Sequence, residues 1–161
     1  MNIPFLILFL ATLPLLFIAS WSDLRHMTIP NRVNIALFIV FVVLGIFIFS
    51  LPDYGWRLLQ ALIMLAIGIF MTSAGLMGGG DSKLLAAGAP FVAFGHLSNF
   101  FMALAFMSLA AVAAHRLLGL FPPFKNAVTD WVSWNTKGNF PFGVPIAATL
   151  SLYLLVLVGF G

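Results

Sequence analysis

The chain carries four carboxylates, all aspartates: Asp23, Asp53, Asp81 and Asp130. It has no glutamate and no cysteine. Carboxylate chemistry must use some of these four, and thiolate nucleophiles, thiolate zinc sites and disulfides are excluded. Asp53 lies in Pro52-Asp53-Tyr54-Gly55, which reads as a surface turn whose side chain bonds nearby backbone N–H groups. Asp130 precedes Trp131 and reads as a solvated loop charge or a helix cap. Asp23 and Asp81 differ, because each stands where a long apolar run gives out. A charge at such a boundary is costly unless it is paired or has a task. Two carboxylates brought to one site cannot both ionise easily. Repulsion and partial desolvation raise one pKa, so the pair shares a proton near neutral pH and titrates as a unit. Such a pair can hydrolyse a peptide bond without metal or covalent intermediate. The ionised carboxylate takes a proton from water while the protonated one donates to the carbonyl oxygen. The structural alternative pairs Asp23 with Arg25 or Arg32, and Asp81 with Lys83.

The surrounding composition decides what kind of molecule must hold these acids. Hydrophobic residues make up 63% of the 161 and charged residues 7%, against roughly 45–50% and about 25% in soluble domains. That excludes a soluble globular protein, a disordered chain and a nucleic-acid-binding module. It implies an all-α polytopic membrane protein. Apolar runs occupy residues 3–20, 33–51, 58–77, 100–120 and 140–160. A shorter stretch, 84–95, is read as a short fourth helix starting near Asp81, with a re-entrant segment as the competing reading. Polar breaks fall at 22–32, at a turn over 52–57 and at a glycine-rich stretch over 78–83. A loop over 121–139 carries Trp131 and Trp134, which suit a membrane interface. No basic stretch precedes the first run, which argues for a retained helix over a cleaved leader.

Charge placement tests this layout. With the N-terminus outside, Arg25, Arg32, Lys83, Arg116, Lys125 and Lys137 fall on the cytoplasmic side and Arg57 alone falls outside. That is the asymmetry expected of a membrane protein. Omitting the fourth segment would send Lys125 and Lys137 outside. The reading is therefore one integral-membrane domain over 1–161, about six transmembrane helices with both termini outside, and Asp23 and Asp81 on one face.

The flanking residues extend the case. Gly78, Gly79 and Gly80 allow the backbone to bend and another chain to approach closely. Pro30 suits the first turn of a following helix, where a missing N–H costs little. The segment Asp23-Leu24-Arg25-His26-Met27-Thr28-Ile29-Pro30-Asn31 resembles the first aspartate segment of the type IV prepilin peptidase family. Gly78-Gly79-Gly80-Asp81-Ser82-Lys83-Leu84-Leu85-Ala86 resembles its second, of the GxGD type. Pro141-Phe142-Gly143-Val144-Pro145-Ile146-Ala147 is similar to the opening of its final helix. The resemblance implies an intramembrane aspartyl protease that removes the basic leader of prepilins at the cytoplasmic face of the bacterial inner membrane. It implies Asp23 and Asp81 as the catalytic pair, and Gly78, Gly80, Lys83, Pro30, Asn31, Pro141 and Gly143 as residues that shape the site or hold substrate. It implies no cofactor and no metal. The partners it implies are membrane-inserted prepilins and membrane lipids, with no nucleic acid. Longer relatives add a cysteine-bearing methyltransferase domain. This cysteine-free chain looks like the short, peptidase-only branch that serves Flp-type (Tad) pili.

Two other functions fit parts of the pattern. Broken glycine-rich helices with a carboxylate also occur in proton-coupled transporters or channels, but here the acids lie at one face and no inverted repeat is present. A non-catalytic scaffold of a pilus or secretion system would keep the helices without needing the aspartates. His26, His96 and His115 have no metal-ligand spacing and read as loop or packing residues.

Overall fold

The computed structural model describes residues 2–135 and 140–160, and the described residues are helical with no strand. Of the basic residues counted above, Lys137 and the side chain of Lys125 lie outside the described set. The long helices are α1 (Ile3–His26), α2 (Asn31–Ile48), α3 (Leu51–Ser73), α5 (Leu97–Gly119) and α8 (Gly143–Phe160). Shorter ones are α4 (Gly79–Gly88), α6 (Pro122–Ala127) and α7 (Val132–Asn135). Among the described residues, five helices are long and apolar enough to cross a membrane. Their outer faces are apolar: Phe17, Phe47, Phe70, Phe106 and Phe160 are all exposed, as befits a protein whose solvent is hydrocarbon.

The core lies between α1, α2, α4 and α8. Leu8, Leu16 and Ala19 of α1 meet a cluster that includes Ile146, Ala147, Leu150 and Leu154 of α8, with Leu37 and Phe41 of α2 and Leu84 and Phe91 alongside. The buried residues of α1 are Leu8, Thr12, Leu16, Ala19 and Asp23. These recur every three or four residues, so they form one stripe on a helix. Asp23 is the last member of the stripe that α1 buries.

The structure corrects three expected boundaries. Residues 52–57 do not form a turn. Leu51 to Arg57 already belong to α3, whose N-cap Ser50 side chain accepts from the Asp53 N–H, and Pro52 falls in the first turn, where no N–H is needed. Asp53 is therefore a first-turn helical residue, bound to Arg57 one turn later at 2.9 Å. The first helix does not stop at residue 20 but runs to His26, so Asp23 lies inside it. The glycine-rich break comes earlier than expected: Gly75 (φ +71°) turns the chain after α3, while Gly79 and Gly80 are the first two residues of α4.

The ten residues of α4 are followed by two 3₁₀ turns, Ala89–Phe91 and Phe94–His96. The Ala89 carbonyl accepts from the Val92 N–H at 3.1 Å, and α3 supplies donors to it and to the three carbonyls that follow. The buried Arg57 guanidinium donates to the Pro90 and Phe91 carbonyls and lies 4.0 Å over the Phe49 ring. Gln60 donates to the Ala89 and Val92 carbonyls. Irregular backbone at this depth survives only when protein satisfies it. This segment runs along α3 from Ser82, against Gly68 and Thr72, to Pro90, against Arg57. It therefore traverses the bundle and delivers α5 to the far end, where Tyr153 of α8 accepts from the Ala93 N–H. The Asn2 N–H bonds the Val158 carbonyl at that same end.

Candidate functional site

One end of the bundle gathers the C-terminus of α1 with the N-termini of α2, α4 and α8. The α1–α2 connection sets its geometry. Met27 adopts a left-handed conformation (φ +53°), and its N–H caps α1 on the Asp23 carbonyl at 2.8 Å. The Ser22 hydroxyl donates to the Thr28 carbonyl at 2.8 Å, closing the loop. Pro30, at φ −62°, is the N-cap of α2, one residue earlier than a first-turn position. Between them Ile29 is turned inward and buried.

Asp23 is 4% exposed. Its Oδ2 accepts from the Gly143 N–H at 2.7 Å. Gly143 is the first residue of the 18-residue α8, so the carboxylate sits at the positive end of a helix dipole. The absent side chain matters: a Cβ on Gly143 would stand 2.7 Å from Ile29 Cδ1 and 2.8 Å from Asp23 Oδ2. Asp81 lies in the first turn of α4. A Cβ on Gly78 would stand 2.8 Å from its Oδ2, and a Cβ on Gly80 would stand 3.3 Å from Ile29 Cβ. Ile29 is thus wedged between the Gly80 backbone on one side and the Gly143–Asp23 junction on the other. Both acid segments close on the same residue.

The α4 start is held against α3 by a 2.8 Å hydrogen bond between the Thr72 and Ser82 hydroxyls. The bare Gly68 permits this approach, since a Cβ there would be 2.9 Å from Ser82 Cβ.

Of the residues singled out in the sequence, Asp23, Asp81, Gly78, Gly80 and Gly143 meet at this place. Pro141 is buried just before α8, and Pro30 and Asn31 open α2. Lys83 does not turn to Asp81; its Nζ donates to Asn31 Oδ1 at 2.9 Å. Among the described residues the ion pair is Arg57–Asp53, at the other end of the bundle. Sequence reasoning quoted Ile29 and Ser82 within the two aspartate segments but gave neither a role of its own, and it passed over Gly68. Gly68 and Thr72 make a small-xxx-small spacing that signals close helix packing.

Residues 7–115 match the type IV leader peptidase family (Peptidase_A24). That stretch includes both acid segments and ends before Gly143. The chain is also similar to prepilin peptidase EppA of Methanocaldococcus jannaschii, at 29% identity over 131 residues. The aligned region is 81% of this chain and 35% of that relative, so the chain spans about a third of the relative's length. No solved structure matches.

Proposed function

The chain belongs to the type IV leader peptidase family, and on that premise we propose that it is an aspartic endopeptidase that removes the leader of membrane-inserted prepilins, with Asp23 and Asp81 as its catalytic pair. The observation that carries this reading is the closure of the two acid segments on Ile29, with Asp23 held by the Gly143 N–H. The two acids have different surroundings, which suits different roles. Asp23 accepts a backbone N–H at a helix N-terminus and acts as the base. Asp81, in the first turn of α4, carries the proton. Asp23 takes a proton from water as the water oxygen bonds the scissile carbonyl carbon, and Asp81 protonates the carbonyl oxygen. The tetrahedral diol then collapses. A proton passes to the amide nitrogen, the C–N bond breaks, and an acid and an amine leave.

The finer parts of the reading rest on charge and resemblance. Arg25, Arg32, Lys83 and Arg116 lie on α1, α2, α4 and α5 at the end that holds the acids, while Arg57 lies at the other. This supports a cytoplasmic active face in the bacterial inner membrane, six crossings and both termini outside. In that layout α4 and its 3₁₀ turns make the fourth crossing. The likeness to the short branch supports Flp-type prepilins as substrates and a single peptidase domain over 1–161. The roles of Gly78, Gly80, Pro30, Asn31, Lys83, Pro141 and Gly143 are to shape the cleft.

The test is cleavage of a prepilin by purified protein in liposomes. Asp23→Asn and Asp81→Asn are each expected to lower the rate at least a thousandfold while insertion and melting stay intact. Near-normal processing by either variant removes the pair from the mechanism.

A further inference from the structure

Hydroxyls inside these helices mostly turn back on their own backbone. Thr12, Ser20, Ser73, Ser108 and Thr149 each donate to the carbonyl four residues earlier, which satisfies them within their own helix. Thr72, in the last turn of α3, instead reaches across to α4, where its Oγ1 lies 2.8 Å from Ser82 Oγ. Ser82 is 4% exposed. Its single hydroxyl hydrogen is directed to the Gly78 carbonyl at 3.1 Å. The Ser82 oxygen must then accept, so the hydrogen between the two helices comes from Thr72. The chain of bonds runs from the Thr72 O–H to the Ser82 O–H to the Gly78 C=O.

That carbonyl is where the chain meets the acid. Gly78 is the N-cap of α4 and has no side chain of its own to hold it. Glycine has the freest backbone of any residue, and here its carbonyl is gripped by both the N–H and the O–H of Ser82, at 3.0 and 3.1 Å. Asp81 is the third residue of α4, the position whose side chain can fold back over the N-cap. It does so: a Cβ on Gly78 would stand 2.8 Å from Asp81 Oδ2 and 3.6 Å from its Cγ. The carboxylate therefore rests against the residue that the two hydroxyls orient.

We propose that Thr72 is a positioning residue for Asp81, acting through the Ser82 hydroxyl on the Gly78 carbonyl. The proposal rests on the peptidase reading for what Asp81 does. The Ser82–Gly78 bonds are internal to α4 and travel with it. The Thr72 bond ties that turn to another helix, in a partly buried place where a hydrogen bond is stronger than in water. Lys83, the next residue, ties α4 to Asn31 of α2, but that bond is exposed.

The test uses the full chain in liposomes. Thr72→Val keeps the branched shape and removes the hydroxyl. It is expected to lower kcat about tenfold and leave KM within about twofold, the mark of a misplaced reacting group with substrate binding intact. Ser82→Ala should do the same. The double variant should lose no more than either alone, because one chain of bonds is broken at either link. Thr72→Ser restores the O–H and should return kcat to within about twofold of wild type. Ser73→Ala removes a neighbouring hydroxyl that serves only its own helix and should leave kcat unchanged. If Thr72→Val fails to insert, Thr72→Ala is read in its place. A second readout needs no cleavage: carboxylates are labelled with a water-soluble carbodiimide and an amine, and located by mass spectrometry. Thr72→Val should change the labelling rate at Asp81 severalfold, while Asp53, paired with Arg57 at the other end, keeps its rate. Unchanged labelling of Asp81 overturns the proposal whatever the cleavage rate does, as do additive losses in the double variant or failure of Thr72→Ser to recover kcat. If labelling of Asp81 responds to Thr72 but wild type cleaves no prepilin, the peptidase reading fails and the positioning of Asp81 stands.

Discussion

At the scale of single residues, the site is defined as much by missing side chains as by the acids. Gly143 gives Asp23 a backbone N–H that a Cβ would screen, because the added carbon would fall 2.7–2.8 Å from Ile29 and the carboxylate. Gly143→Ala is therefore expected to displace Asp23 and cut the cleavage rate by about a hundredfold, an effect the size of a lost precise alignment. Gly79→Ala is the control: its Cβ would meet only Thr72 Cγ2, at 3.6 Å, so activity within twofold of wild type is expected. Equal losses in both variants would show that general loosening of α4 and α8 is at work, not the Asp23 contact. The two acids were legible in the sequence because apolar runs make any carboxylate conspicuous. The packing of Ile29 was not, since one isoleucine among many apolar residues gives no sign that bare glycines will close on it.

At the scale of elements, the helix-forming runs were legible because lipid-facing helices need nearly continuous apolar sequence, and capping rules failed where sequence cues overlap. Pro52, Asp53 and Gly55 are turn formers by composition. Here Ser50 caps the helix, Pro52 fits its first turn and the Asp53–Arg57 pair spans its next, so the same residues start α3. The fourth segment shows a contact no local pattern predicts. Its ten-residue helix is too short to span hydrocarbon, and its 3₁₀ turns leave carbonyls open, which Arg57 and Gln60 close from α3. Arg57→Leu would strip the Pro90 and Phe91 carbonyls of their donor in a buried place. We expect a loss of about 2–4 kcal/mol, read as a fall of several degrees in apparent Tm. Cleavage by molecules still folded should remain within about twofold of wild type, because Arg57 lies at the end remote from the acids. A selective loss of rate with an unchanged Tm would mean that the far end couples to the site.

At the scale of the whole molecule, the arrangement follows from where each helix begins. The starts of α2, α4 and α8 and the end of α1 share one end of the bundle, and both acids, most described cations and the Lys83–Asn31 bridge are there. Charge counting could anticipate that gathering because positive residues cluster on one side of a membrane. It could not anticipate that Ile29 would be the point of closure, because that depends on how closely bare glycines let three helix ends approach. Which compartment this end faces is the remaining physical claim, and the absence of cysteine from the chain makes it measurable without background. A single cysteine at His26, exposed at the acid end, and another at Ser50, exposed at the opposite end, report the two sides separately. With a membrane-impermeant maleimide, His26→Cys should label at least tenfold faster in inverted membrane vesicles than in intact spheroplasts, and Ser50→Cys should show the reverse. The opposite pattern at both positions would put the acids outside, where a leader still attached to its inner-side residues cannot reach them, and the prepilin assignment would fall while the geometry of the pair remained.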